Sequence, residues 1–190
     1  MNYYQILKMK SNTPNWQPEN LSTDILKLTP LIESDFDDLY EVASDPLIWE
    51  QHPTKDRYKK EVFKLFFDGA VASKTAFLII DKATDKLIGS TRYYDYQPEQ
   101  SSIAIGYTFF NRSYWGSTYN RTSKKILLNY AFQYIDKVYF HIGANNMRSQ
   151  KAILNIGAHK IGEVDFDYYG QKVLHYEYVI LKKDWKENIL

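Results

Sequence analysis

Apolar residues recur along this chain at helical spacing in four places and in strand-like runs between them. Phe36, Leu39, Tyr40 and Val42 mark one face of a short helix, which Asp45-Pro46 ends because proline disfavours helix at the residue before it. Val62, Phe63, Leu65, Phe66 and Phe67 form a broader stripe within about Asp56 to Ser73, suited to packing on a sheet. Ile126, Leu127, Tyr130, Ala131 and Tyr134 predict a third helix, and a fourth spans about Met147 to Ile156 with Gly157-Ala158 as its exit. Strands are expected at Thr23 to Leu28, Thr75 to Asp81, Leu87 to Tyr96 and Ser101 to Phe110, the last three joined by short polar turns as an antiparallel meander. Val138 to Gly143 follows the third helix, giving one β-α-β crossover and hence a parallel pair. Two more strands flank a turn at Asp167 to Gln171, and a charged tail follows Leu181. Residues 1–21, with Pro14 and Pro18, read as an extended N-terminal segment ahead of a single domain at 22–190.

Composition narrows the functional classes. The 24 basic and 23 acidic residues nearly cancel, so no global field calls for nucleic acid or an anionic membrane. Absence of cysteine removes disulfides, thiolate catalysis and Cys-based zinc sites, and four scattered histidines give no metal-ligand spacing. Met1 to Lys10 contains no signal-peptide core, and nowhere are 18 apolar residues consecutive. The expectation is a cytoplasmic protein without a metal, a membrane or a nucleic-acid partner.

Two segments carry chemistry. Asn111-Arg112-Ser113-Tyr114-Trp115-Gly116-Ser117-Thr118-Tyr119-Asn120 closes a strand and opens the helix bearing Arg121, Lys124 and Lys125. A small-residue turn at a helix start leaves backbone N–H groups without intrahelical partners, where the helix dipole favours an anion such as phosphate; an ordinary capped loop is the alternative. The second segment, Asn145-Asn146-Met147-Arg148-Ser149-Gln150-Lys151-Ala152, lies between the crossover strand and the next helix. Its Asn-x-x-Ser pattern fits a helix cap as well as a site residue pair. Both segments fall on the edge where strands end, the place where sheets of this type bind ligands.

The order of elements and motifs from about Thr23 to Lys182 resembles the GNAT superfamily of N-acetyltransferases, and within it the Rim-type branch of ribosomal-protein N-terminal alanine acetyltransferases. The resemblance is carried by Leu28-Thr29-Pro30-Leu31, Ile88-Gly89-Ser90, Ile105-Gly106-Tyr107-Thr108-Phe109, Tyr114 to Asn120, Tyr130-Ala131-Phe132, Asn146-Met147-Arg148-Ser149 and Gly157-Ala158. It implies an α/β (α+β) fold: a bent, mostly antiparallel seven-stranded sheet with about four helices, split between the fourth and fifth strands. It also implies acetyl-CoA as cosubstrate. Trp115, Gly116, Ser117, Thr118, Tyr119 and Asn120 would bind its pyrophosphate, and Thr108, Phe109 and Phe110 would pair with the pantetheine arm. Arg112, Arg121, Lys124 and Lys125 are candidates for the ribose phosphate. Asn146 would contact the cofactor or an ordered water, and Ser149 would meet the departing thiolate. A backbone N–H of Ile105 to Thr108 would serve the oxyanion.

This chain departs from the family pattern at Ser113 and Thr118 in the turn. Ile153 replaces the tyrosine that many members use as general acid, and Ala104 replaces an acidic residue. Glu50, His52 and His141 are then the candidates for a base, with ordered water as the alternative. The expected reaction is direct attack of a primary amine on the thioester. The acceptor would be a protein N-terminus or a small-molecule amine, and the enzyme a monomer or homodimer. A GNAT-fold module that binds CoA without catalysis is the competing reading.

Overall fold

Alternation of apolar residues along β3, Ala76–Asp81, sends Phe77 and Ile79 to one face of a sheet and Ala76, Leu78 and Ile80 to the other, and both faces are buried. The computed structural model describes residues 13–168 and 170–185. The reading of Met1 to Lys10, the end of the charged tail and part of the Asp167 to Gln171 turn lie outside the described residues. Among those described, eight strands form one sheet in the order β1-β2-β3-β4-β5-β6-β8-β7. Its strands are β1 Leu21–Ser22, β2 Leu26–Pro30, β3, β4 Lys86–Gln97, β5 Ser102–Phe110, β6 Lys137–Gly143, β7 His159–Tyr168 and β8 Gln171–Leu181. Neighbours are antiparallel except β5 and β6, the pair joined by the crossover helix. The expected seven strands gain an eighth because Thr23 N–H bonds Leu26 O at 2.9 Å, a turn that folds Leu21–Ser22 back onto β2. That turn also moves the first full strand from Thr23–Leu28 to Leu26–Pro30.

Among the described residues, four α-helices cover the sheet: α1 Phe36–Ala43, α2 Lys60–Ser73, α3 Tyr119–Ala131 and α4 Met147–Leu154. One core joins residues of α3 and α4 to Leu26, Leu28, Ile103, Ile105, Val138 and Phe140 of the sheet, and Trp16 is buried in it against Tyr93. The second core, on the opposite face, joins α1 and α2 to Leu78, Ile80 and Phe109. Helix α2 starts later than expected. Residues 56–59 stay in turns, and Arg57 is spent on packing, its guanidinium carbon 4.5 Å from the Phe66 ring centroid.

Candidate active site

β5 and β6 pair through Ser102, Ile103 and Ala104 and then part. From Ile105 to Phe110 the β5 edge on that side faces a cleft of about 680 Å³. A ladder edge without a neighbouring strand leaves backbone donors and acceptors to be satisfied by something else. On the β4 side Ser90 faces Phe109 and Arg92 faces Gly106, so Thr91 opposes two residues, Tyr107 and Thr108. This is a β-bulge, with Tyr107 left-handed at φ 52°. Regular alternation would send Phe109 to the same face as Ile103 and Ile105. Instead Phe109 joins the second core and Phe110 the first, so the extra residue turns the end of the strand over.

The turn between β5 and α3 is held from below. Asn111 Oδ1 accepts from Ser113 N–H at 3.0 Å, Ser117 Oγ donates to Tyr114 O at 2.5 Å, and Trp115 Nε1 donates to Phe110 O at 3.1 Å. Gly116 has φ 74°, and a Cβ built there would meet nothing within 4 Å. Thr118 takes the N-cap position of α3, and its side chain makes no cap hydrogen bond. The helix start is therefore left for another acceptor.

Helix α4 begins at Asn146, whose Oδ1 accepts from Ser149 N–H at 3.1 Å. The cap and the cleft-lining position coexist, because Asn146 and Ser149 both border the cleft. Arg148 ties three segments together. Its guanidinium lies 3.8 Å from the Trp115 ring centroid, donates to Ile48 O at 3.2 Å and sits 3.5 Å from Glu50 Oε1.

Most of the expected binding residues meet in this cleft: Thr108, Phe109, Phe110, Trp115, Gly116, Ser117, Thr118, Asn120 and Arg121, with Asn146, Ser149, His52 and His141. Tyr119 does not, since its hydroxyl donates to Asp81 Oδ1 at 2.8 Å and anchors the turn to the end of β3. Glu50 is drawn to Arg148, and Arg112 to Asp45. Of the four basic candidates, Arg121 and Lys124 line the cleft. The Lys124 side chain is buried, with Nζ donating to Thr108 Oγ1 at 2.5 Å, and burial pulls its pKa down to about 7.

Both ring nitrogens of His52 face donors. Thr54 N–H points at Nδ1 from 3.0 Å and the Arg57 guanidinium at Nε2 from 3.1 Å. One nitrogen of a neutral imidazole carries the hydrogen, so whichever tautomer forms, the remaining lone pair is already taken. Burial first, then the charge of Arg57, hold its pKa well below the ordinary imidazole range. The cleft is also lined by Arg57, Tyr94, Tyr168 and His175, none of them singled out from sequence. Strand parity alone could have placed Tyr94 opposite to core residue Tyr93, but strand pairing partners are not written in the chain.

These features agree with comparisons to known proteins. The GNAT acetyltransferase domain family matches residues 26–159, well over half of the chain. A GNAT-family acetyltransferase from Bacillus anthracis superposes with a TM-score of 0.72 at 20% identity, covering 86% of this chain and 98% of its own. A GCN5-related N-acetyltransferase from Brucella melitensis gives 0.75 at 19% identity, covering 93% and 85%. A spermidine N-acetyltransferase from Vibrio cholerae, solved in complex with CoA and spermine, gives 0.64 at 17% identity, covering 85% and 98%. The matched span contains the parted strands, the Gly116 turn and the start of α4, and the chain belongs to the GNAT acetyltransferase family.

Proposed function

We propose that the protein transfers acetyl from acetyl-CoA to a primary amine by direct attack on the thioester. The observation carrying this reading is the unpaired β5 edge leading into the uncapped start of α3. Pantetheine takes the place of a strand neighbour along Thr108, Phe109 and Phe110, and pyrophosphate meets the backbone of Trp115 to Asn120. Of the basic residues expected to meet the ribose phosphate, Arg121 and Lys124 line the cleft. The bulge at Tyr107 re-aims the backbone where the thioester oxygen would gain charge, which supports an oxyanion role for an N–H of Ile105 to Thr108. Ser149 is the hydroxyl available to the departing thiolate.

Among the described residues no carboxylate lines the cleft. A polyamine would require acidic partners for its several ammonium groups, so a singly charged amine, on a small molecule or a protein N-terminus, fits better. On this reading the protein works in the cytoplasm as a monomer or homodimer and uses no metal.

Release of free thiol from acetyl-CoA across a panel of small amines and short peptides tests the proposal. Turnover with one of them is expected, and Ser149→Ala should lower kcat at least tenfold while CoA affinity stays within twofold. Thermal stabilisation by CoA without thiol release from any amine would favour the module that binds without catalysis.

A further inference from the structure

Direct attack requires a proton acceptor, and Ala104 supplies none. The β6–β8 register sets His141 opposite Glu177, where side chains on one face meet. His141 Nε2 lies 3.1 Å from Glu177 Oε1, and Nδ1 lies 2.7 Å from the Tyr94 hydroxyl. A carboxylate can only accept, so Nε2 carries the hydrogen, Nδ1 keeps its lone pair, and the phenol donates to it. Tyr94 and His141 both border the cleft. Tyr94 packs beside the bulge over Gly106, where a Cβ would come within 2.8 Å of its ring. Burial raises the pKa of Tyr94 far above that of a free phenol, which keeps it a hydroxyl.

We propose that Glu177, His141 and Tyr94 form a proton relay that deprotonates the acceptor amine, with Tyr94 as the catalytic residue and the other two acting through it. The inference rests on the transferase reading above. As nitrogen attacks the thioester carbon, the new C–N bond forms and the carbonyl π pair moves to oxygen. The amine proton passes to Tyr94 Oη while the phenol proton passes to His141 Nδ1, and Glu177 stabilises the imidazolium. Collapse restores the carbonyl and breaks the C–S bond. The thiolate leaves with the electron pair and takes a proton by way of Ser149, and the imidazolium returns its own to solvent.

Other groups surround the relay: His175 on β8, Tyr168 and the Phe166 ring on β7, Tyr107 on β5 and Asp95 beside Tyr94 on β4. Among the described residues, Glu177 and Tyr94 are the partners hydrogen-bonded to the His141 ring.

Two measurements decide the matter. In protein carrying nitrogen-15 histidine, the neutral His141 ring should be found as the Nε2–H tautomer, and Glu177→Gln, whose amide can also donate, should admit the Nδ1–H form. With an amine taken from the panel, Glu177→Gln should lower kcat about tenfold and leave the KM for acetyl-CoA within twofold. Tyr94→Phe and His141→Gln should each reduce kcat about a hundredfold while CoA still raises the melting temperature. Turnover of Tyr94→Phe within twofold of the parent, or a His141 tautomer unmoved in Glu177→Gln, overturns the relay alone. If no amine in the panel is acetylated, the transferase reading falls and takes the relay with it.

Discussion

Gly89 and Gly116 are both glycines near the cleft, and physics demands each for a different reason. A Cβ on Gly89 would stand 2.1 Å from Phe109 O, inside the backbone of the neighbouring strand. Gly116 needs its left-handed φ but has open space above it. Gly89→Ala should therefore cost about 1–3 kcal/mol in denaturant unfolding and leave CoA affinity of the folded protein within twofold. Gly116→Leu should cost about 1 kcal/mol of backbone strain but weaken CoA binding at least tenfold, because its side chain would stand where the proposed function puts phosphate. Equal affinity in the two variants would remove the turn from the cofactor site. Residues of this kind were partly legible. Gly116, Asn146 and Ser149 stand in local patterns, whereas Tyr94 and Glu177 reach His141 from strands 47 and 36 residues away. Proximity of that kind depends on register, which a single sequence does not display.

At the scale of elements, periodicity located the helices because each has one wet and one dry face, and the meander showed as apolar runs between polar turns, β3 being buried on both faces. The β5 strand was expected as a plain run from Ser101 to Phe110, and neither its bulge nor the exchange of faces by Phe109 and Phe110 was foreseen. Tyr107 gives no sign of its left-handed φ, since side chains other than glycine seldom adopt it. The parting of β5 from β6 was expected from the family resemblance, and pairing ends at Ala104 as that required. Hydrogen exchange checks its use. Amides between Ile105 and Phe110 should exchange more slowly when CoA is added, while those of β3 stay as they were. Unchanged exchange along β5 would mean that the cosubstrate does not lie against this edge.

Across the whole molecule, one buried amine connects the site to global stability. In the folded protein the Lys124 pKa is about 7, while an unfolded lysine titrates near 10.4. Between those values the unfolded chain binds more protons than the folded one, so stability rises with pH across this window. Below about pH 7 the full penalty of a buried ammonium remains. Lys124→Met should accordingly raise the unfolding free energy at pH 7, and the gain should shrink steadily toward pH 10. Thr91 and Thr108 are not orphaned by the change, since their hydroxyls already lie 2.7 Å apart. A gain that does not vary with pH would mean that Lys124 keeps an ordinary pKa in the fold.

The two cores on opposite faces of the sheet share β5, and the bulge decides which phenylalanine each receives. Deleting Tyr107 would restore one-to-one pairing with β4 and keep Phe109 and Phe110 on the faces they now hold, while removing the left-handed step from the backbone that faces the cleft. Tyr107 is thus one spare link in the strand: the packing of both cores would survive its loss, and the shape of the cleft wall would not.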